Sequence, residues 1–472
     1  MGNEKDFSRR DFLKKVGTGA VLTGATLTGC KLRNGVSATG GSLGEVPSDK
    51  MTYRTNSRTG DVLSLLGYGC MRWPTKRGPE GRDIIDQDAV NELVDYAIAH
   101  GVNYFDTAPG YVRGLSETAT GIALKRHSRD KFFIATKLSN MGNNPEVRTF
   151  SGSRSMYDKS FRDLQVDYID YYLLHNIGGG GVPTVLDRFY KNGMMDFLMK
   201  EQQAGRIRNL GYSFHGDVAA YDYLLAEQDK GNVRWDFVMI QMNYIDWLYA
   251  TGMNTPAEYL MGELVKRDIQ AVVMEPLLGG RLARINARAL MLMKALHPQD
   301  TAAKWALRYV GDHPNVLTTI SGMTYMEHLQ DNLRSMSPWE PLTDREKEIL
   351  LEVTEIMRDP NYIQCTTCQY CMPCPYGLDI PKTFELYNQI VSDEKLLKSS
   401  NDNNYRKFRR EFLIGYDRAV PKARQADFCN GCDKCRPACP QRLNIPDELL
   451  RVETYMENLR QKKDFGESTH TE

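Results

Sequence analysis

The chain has 472 residues, too many for one hydrophobic core, so two or three domains are expected. Its 60 Lys and Arg balance 60 Asp and Glu, which removes any electrostatic case for nucleic-acid binding. Hydrophobic residues make up 41% and no run of 18 apolar residues occurs, so a globular protein without a membrane-spanning helix is expected.

At the N-terminus, Ser8-Arg9-Arg10-Asp11-Phe12-Leu13-Lys14-Lys15 is a twin-arginine pattern, followed by a modest apolar stretch from Val16 to Leu27. It reads as an export signal of the twin-arginine type, with a short basic amphipathic helix as the alternative. Leu27-Thr28-Gly29-Cys30 resembles a lipoprotein signal-peptidase box, in which Cys30 would be lipidated and become the mature N-terminus. Residues 1–30 are thus expected to be a signal and 31–50 a flexible tether. The expected location is the periplasm or cell envelope, with the lipid as the only membrane attachment.

Over 51–334, short runs rich in Val, Ile, Tyr and Phe alternate with helical stretches such as Asp88–His100, Ser116–His127, Pro256–Arg267 and Ala302–Val310. The runs are Leu66–Met71, Asn103–Ala108, Lys131–Lys137, Tyr168–His175, Asn209–His215, Phe237–Tyr244, Gln270–Leu277 and Val316–Met323. Their nearly continuous apolar character marks strands buried on both faces. Eight strand–helix units predict an α/β fold of the (β/α)8 TIM-barrel type, with a doubly wound open sheet as runner-up. Before them, Thr52–Asn56 and Val62–Leu65 flank a turn and predict a hairpin plugging the barrel floor. The four glycines Gly178 to Gly181 suggest a flexible loop, Cys70 a packed rather than reactive thiol, and Met291–Met293 a piece of core.

Residues 335–360 read as a linker and a helix, Asp344–Met357. Within 361–450 a further helix starts near Lys382 and a charged segment spans Asp402–Glu411; 451–472 forms a tail, polar beyond Leu459. Eight of the ten cysteines lie in the 361–450 segment. Cys429, Cys432, Cys435 and Cys439 before Pro440 match the bacterial ferredoxin spacing, while Cys365, Cys368, Cys371 and Cys374 before Pro375 differ by one residue before the last cysteine. Two zinc knuckles or a disulfide net compete with iron–sulfur ligation, but zinc sites usually use separated cysteine pairs and disulfides need no such triplets. Two [4Fe–4S] clusters in a small helical ferredoxin-like domain are expected. By two-cluster logic one uses Cys365, Cys368, Cys371 and Cys439, and the other Cys429, Cys432, Cys435 and Cys374. Clusters are inserted in a reducing compartment, which agrees with a route that exports folded proteins.

In such barrels the site lies at the C-terminal strand ends. Asp106, Lys137 and His175 end the second, third and fourth strands, and Tyr111 follows Asp106 closely. Asp106 is the natural partner of Lys137, and the cation is expected to lower the Tyr111 pKa. Tyr111 would then give a proton to a carbonyl oxygen while His175 positions that oxygen.

The segments GVNYFDTAPGY (Gly101 to Tyr111), IATK (Ile134 to Lys137) and DYYLLH (Asp170 to His175) resemble the aldo-keto reductase superfamily. The subgroup resembled is exported and carries a C-terminal ferredoxin-type domain; CMPCPYGLDIP followed by FELYN is typical of it. The resemblance implies an NADP- or NAD-dependent oxidoreductase acting on a small carbonyl or hydroxyl compound, and an envelope location with many aromatic residues would suit sugars or glycosides. Tyr111 would be proton donor, Lys137 and Asp106 would tune it, and His175 would orient substrate. It further assigns Gly69, Cys70, Met71, Ser213, Gln241, Tyr244, Leu277, Gly279, Ser321, Gly322 and Asn332 to the nucleotide. Phe214 stands where many members have Asn, and Thr324 and His328 where many have a cation for the 2′-phosphate. NADH and NADPH are therefore expected to bind within about tenfold of each other unless Arg281 or Arg334 supplies the grip. The clusters would relay electrons to a redox partner protein or serve as structure. The competing reading is an iron–sulfur electron carrier on a catalytically silent barrel.

Overall fold

Eight parallel strands close into one barrel in the computed structural model, which describes residues 45–79, 83–141, 144–250 and 254–461. The signal, Cys30, most of the tether and the end of the tail lie outside the described residues. Residues from Val46 onward form one compact unit, so the barrel and the cysteine-bearing segment are a single body.

The strands are β1 (Tyr53–Thr55), β2 (Val62–Ser64), β3 (Leu66–Gly69), β4 (Thr75–Arg77), β5 (Asp83–Ile85), β6 (Tyr104–Asp106), β7 (Phe133–Leu138), β8 (Ile169–Ile177), β9 (Ile207–Phe214), β10 (Phe237–Gln241), β11 (Ala271–Met274) and β12 (Val316–Ser321). The closed order is β10-β11-β12-β3-β6-β7-β8-β9, with every neighbour parallel. All eight expected runs form barrel strands, with ends shifted by up to three residues.

The strands lack alternation because both faces are covered. Inside, Leu63, Tyr104, Tyr171, Phe237, Met239, Val272 and Leu317 fill the barrel, and Tyr171 meets Tyr104 and Phe237 edge-on at 5.3 and 4.9 Å. Outside, the other faces pack on the helical ring. The β1–β2 hairpin is antiparallel and closes the floor: Asp61 accepts from the Tyr171 hydroxyl at 2.9 Å and from Asn209 Nδ2 at 2.9 Å. An antiparallel ribbon, β4–β5, escaped the sequence reading because its residues are short and mostly exposed.

Some expectations need correction. The glycine run is no slack loop: Gly178, Gly180 and Gly181 have positive φ, and Gly181 opens the helix Gly181–Val185. Met293 is core, but Met291 is 66% exposed on the same helix. The charged segment from Asp402 runs into the helix Tyr405–Ala419.

The helix Asp344–Met357 starts with a reciprocal cap between Thr343 and Glu346 and packs Leu350, Val353 and Met357 against Tyr244, Leu278 and Trp305. Beyond it, the helices Ile380–Ser392, Tyr405–Ala419 and Ile445–Gln461 share a core of Phe384, Phe412, Tyr416, Val452 and Met456. The two cysteine runs are the loops preceding the first and third of these helices.

Candidate active site and cysteine centre

Asp106 ends β6, Lys137 is the penultimate residue of β7, and His175 lies near the end of β8. These neighbouring strands bring the three together, and Tyr111 arrives on the turn after β6. There Val112 and Arg113 take the left-handed conformation, at φ 48° and 55°, which holds a tight return over the barrel mouth. Lys137 Nζ donates to Asp106 Oδ1 at 2.5 Å and to the Thr107 carbonyl at 2.7 Å. The same ammonium lies 4.9 Å from the Tyr111 ring centre. Tyr111 and His175 meet edge to face at 6.1 Å. His175 Nδ1 shares a hydrogen bond with Ser139 Oγ at 2.6 Å, and the buried Arg188 donates to the His175 carbonyl at 2.6 Å.

Burial, reinforced by Lys137 and Arg188, holds the His175 pKa well below its ordinary value, so the ring is neutral. The expected lowering at Tyr111 does not occur: burial first, then the Asp106 charge, pushes its hydroxyl up. Lys137 spends its protons on Asp106 and a carbonyl, and a second tyrosine, Tyr370, hydrogen-bonds the Tyr111 side chain.

Tyr370 belongs to the first cysteine loop, which lies over the strand ends. Around it, Arg72 Nη2 donates to the Thr366 carbonyl at 3.0 Å. Arg281 donates to Gln364 and to the Met357 carbonyl, and stacks 3.7 Å over Tyr362. From the second loop, Gln441 Nε2 donates to Gln241 Oε1 at 3.2 Å. Arg442 approaches Gly179 and Gly216 and helps burial depress the His215 pKa to about 4.

This placement answers the nucleotide assignments one by one. Gly69, Cys70 and Met71 sit at the end of β3 and its following turn; the Cys70 thiol is buried and its carbonyl accepts from Ser116 at 2.8 Å. Ser213 Oγ accepts from the Asn176 amide at 2.9 Å. Gln241 Nε2 donates to Asp246 at 2.6 Å, so both ends of its carboxamide are engaged. Tyr244 does not offer a stacking face: it packs against Tyr309 under the helix Asp344–Met357. Leu277 packs beside Tyr244 and Leu278, and Gly279 lies against Thr366. Ser321 and Asn332 bond each other at 2.7 Å, both buried, while Gly322 lies beside the stem of Arg72. In this arrangement Gln241, Gly279, Ser321 and Asn332 are already met by other residues of the chain, and Tyr244 is turned into the core. Tyr370, Gln441, Arg442 and Thr366 were missed, since nothing in the sequence marks residues between ligating cysteines as part of a distant barrel mouth.

Thiols of the two runs influence one another across the loops. Cys365, Cys368 and Cys371 each have Cys439 among the charges that raise their pKa, Cys371 has Cys435 as well, and Cys435 is raised by Cys429, Cys374 and Cys432. Burial is the largest cause in every case. Backbone amides point at sulfur: Thr367 N–H donates to Cys365 Sγ at 3.4 Å, and amides of residues 441–443 donate to Cys439. Among the described residues no three Cys, His, Asp or Glu gather as one metal ion requires.

A family model for the aldo/keto reductase family matches residues 65–355, more than half of the chain. The chain belongs to the aldo/keto reductase family. The reductase barrel is followed by a match to a 4Fe-4S dicluster domain over residues 364–445. This aldo/keto reductase is 26% identical over 326 residues to L-galactose dehydrogenase of Arabidopsis thaliana, spanning 65% of this chain and 95% of that one. It is also 26% identical to Protein tas of Escherichia coli over 341 residues, 61% of this chain and 93% of that protein. An aldo-keto reductase from Bacillus halodurans in its holo form superposes with a TM-score of 0.51 at 24% identity, covering 64% of this chain and 96% of that structure, a likeness of fold. NAD(P)-dependent oxidoreductase chemistry is typical of the family.

Proposed function

We propose that this aldo/keto reductase interconverts a small carbonyl compound and its alcohol at Tyr111, with redox equivalents relayed through its own iron–sulfur domain. The convergence of Asp106, Lys137, His175 and Tyr111 at the ends of neighbouring strands carries the reading. Reduction of a carbonyl takes two electrons and two protons: the electrons would come one at a time through the clusters from an external donor protein, one proton goes from Tyr111 to the oxygen, and the second goes from solvent to the carbon. A Tyr111 whose pKa is raised keeps its proton at neutral pH, which suits a donor to a developing alkoxide. Neutral His175 offers a hydrogen bond to the same oxygen without adding charge. The Asp106–Lys137 pair fixes a cation under the Tyr111 ring. Because the nucleotide contacts are engaged elsewhere, no step is routed through a nicotinamide.

Cys365, Cys368, Cys371 and Cys439 would hold one [4Fe–4S] cluster, and Cys429, Cys432, Cys435 and Cys374 the other. Bound there, they would supply one-electron relay to a partner protein. L-Galactose dehydrogenase among the relatives supports a hydroxylated substrate such as a sugar. The twin-arginine and Cys30 motifs support export and lipid anchoring in the envelope.

The test is Tyr111→Phe in anaerobically purified holoprotein, assayed on a panel of sugars and small carbonyls with reduced viologen as donor. Loss of turnover at least a hundredfold with unchanged iron content is expected; normal turnover of the variant would sink the assignment. Tyr370 over Tyr111 favours one second reading, an electron carrier on a silent barrel, and that reading predicts no turnover by the parent on any panel member.

A further inference from the structure

We infer that the chain's own cysteine domain fills the trough in which aldo/keto reductases take a nicotinamide nucleotide, so that domain docking and nucleotide binding exclude each other. The inference rests on reading the strand ends as that trough, and it adds what occupies it.

Three separate contacts carry it. On the turn after β11, a Cβ built on Gly279 would stand 2.5 Å from the Thr366 carbonyl oxygen. A methyl group has no room there, and a planar ring needs about 3.5 Å on each side. At the end of β10, Gln241 is fully engaged, one end by Asp246 and the other by Gln441. An amide ligand would have to displace Gln441. On the same turn as Gly279 lies Arg281, one of the two cations, with Arg334, expected to reach a phosphate. It is instead 8% exposed, stacked on Tyr362 and bonded to Gln364 and the Met357 carbonyl. Arg72, beside Gly322, is likewise tied to Thr366. Gln241, Gly279 and Arg281 are each met by residues 357–366 or 441 of the same chain.

The contacts belong to packed elements. The helix Asp344–Met357 that leads into the first loop is buried against Tyr244, Leu278 and Trp305. Both loops are tied to the thiol quartets, because Cys365 and Cys368 flank Thr366 and Cys439 precedes Gln441. A nucleotide entering the trough would have to pull both loops away together. Tyr370, from the same loop as Thr366, hydrogen-bonds the Tyr111 side chain, so this reductase site has a protein wall on that side.

The experiment measures binding of NADH and NADPH to anaerobic, iron-replete full-length protein by calorimetry. The parent is expected to bind neither at 1 mM. A triple variant on the domain side, Gln364→Ala, Gln441→Ala and Arg442→Ala, loosens docking without touching the tetrad or a cysteine. It should bind at least one nucleotide tenfold or more tighter than the parent. Hydrogen exchange of residues 362–370 should be unaffected by nucleotide in the parent and accelerated by it in the variant. A parent dissociation constant below about 0.1 mM would overturn the inference. Absence of binding in a variant whose loops exchange faster would also overturn it, by showing that the uncovered trough is no nucleotide site. The Tyr111→Phe turnover test would stand unaffected, so the two readings fail separately.

Discussion

Replacing Lys137 by Met isolates the energetics of the barrel mouth. Lys137 and Asp106 have side-chain exposures of 1% and 5%, so neither charge is solvated by water. Asp106 Oδ1 accepts from Lys137, and Oδ2 finds no partner among the described residues. Removing the ammonium leaves a buried carboxylate with no counter-charge. Breaking such a pair costs about 3–5 kcal/mol, and burial already raises the Asp106 pKa, so the variant carboxyl takes up a proton to limit the loss. Unfolding entropy near 2.1 cal/mol/K per residue, over the roughly 400 residues of the compact body, gives about 0.9 kcal/mol per degree. The midpoint should fall by roughly 3–6 °C in differential scanning calorimetry of anaerobic holoprotein. Asp106→Asn combined with Lys137→Met removes both charges and should recover most of that, because neutral groups of similar shape replace a pair whose desolvation is costly. A Lys137→Met midpoint within a degree of the parent would refute the burial argument, as would a double variant no more stable than the single one.

Two further outcomes are expected. Cys439→Ser should remove about half of the iron and labile sulfide while the signal of the Cys429 quartet persists, because Cys439 pairs with the first run; a variant retaining all its iron would contradict the crossed pairing. Stability should fall as pH drops from about 6.5 towards 4. Burial depresses His215 to about 4, helped by Arg442, and His313 to about 4, helped by Lys347 and Arg54 against Asp312. The unfolded chain binds those protons near 6.5 and the folded one near 4, so stability is full above 6.5 and lost within that window. A melting midpoint flat from pH 7 to 5 would contradict this.

The barrel was legible because its strands are apolar on both faces, a pattern that repeated runs such as YYLL and VVM display directly. Asp106, Lys137 and His175 were legible because a polar residue in such a run has few other reasons to be there. The Tyr111 pKa was misread because adjacency in the chain does not fix where an ammonium points; Lys137 turns to Asp106 and Thr107, and burial decides the rest. The blocked trough was illegible for a different reason. Its contacts join residues as far apart as Arg72 and Thr366, or Gln241 and Gln441, and depend on how two loops bend around thiols. No local pattern records that.

The crossed cysteine quartets proposed above would also set an order of assembly. The last barrel strand ends at Ser321, and Cys439, which completes the first quartet, leaves the ribosome more than a hundred residues later. Domains fold as they emerge, so the reductase barrel closes with its mouth bare, and neither quartet is complete until the final stretch of chain appears. For that interval the nascent protein is an uncapped reductase. Delivery of iron and sulfide is then the event that seals it.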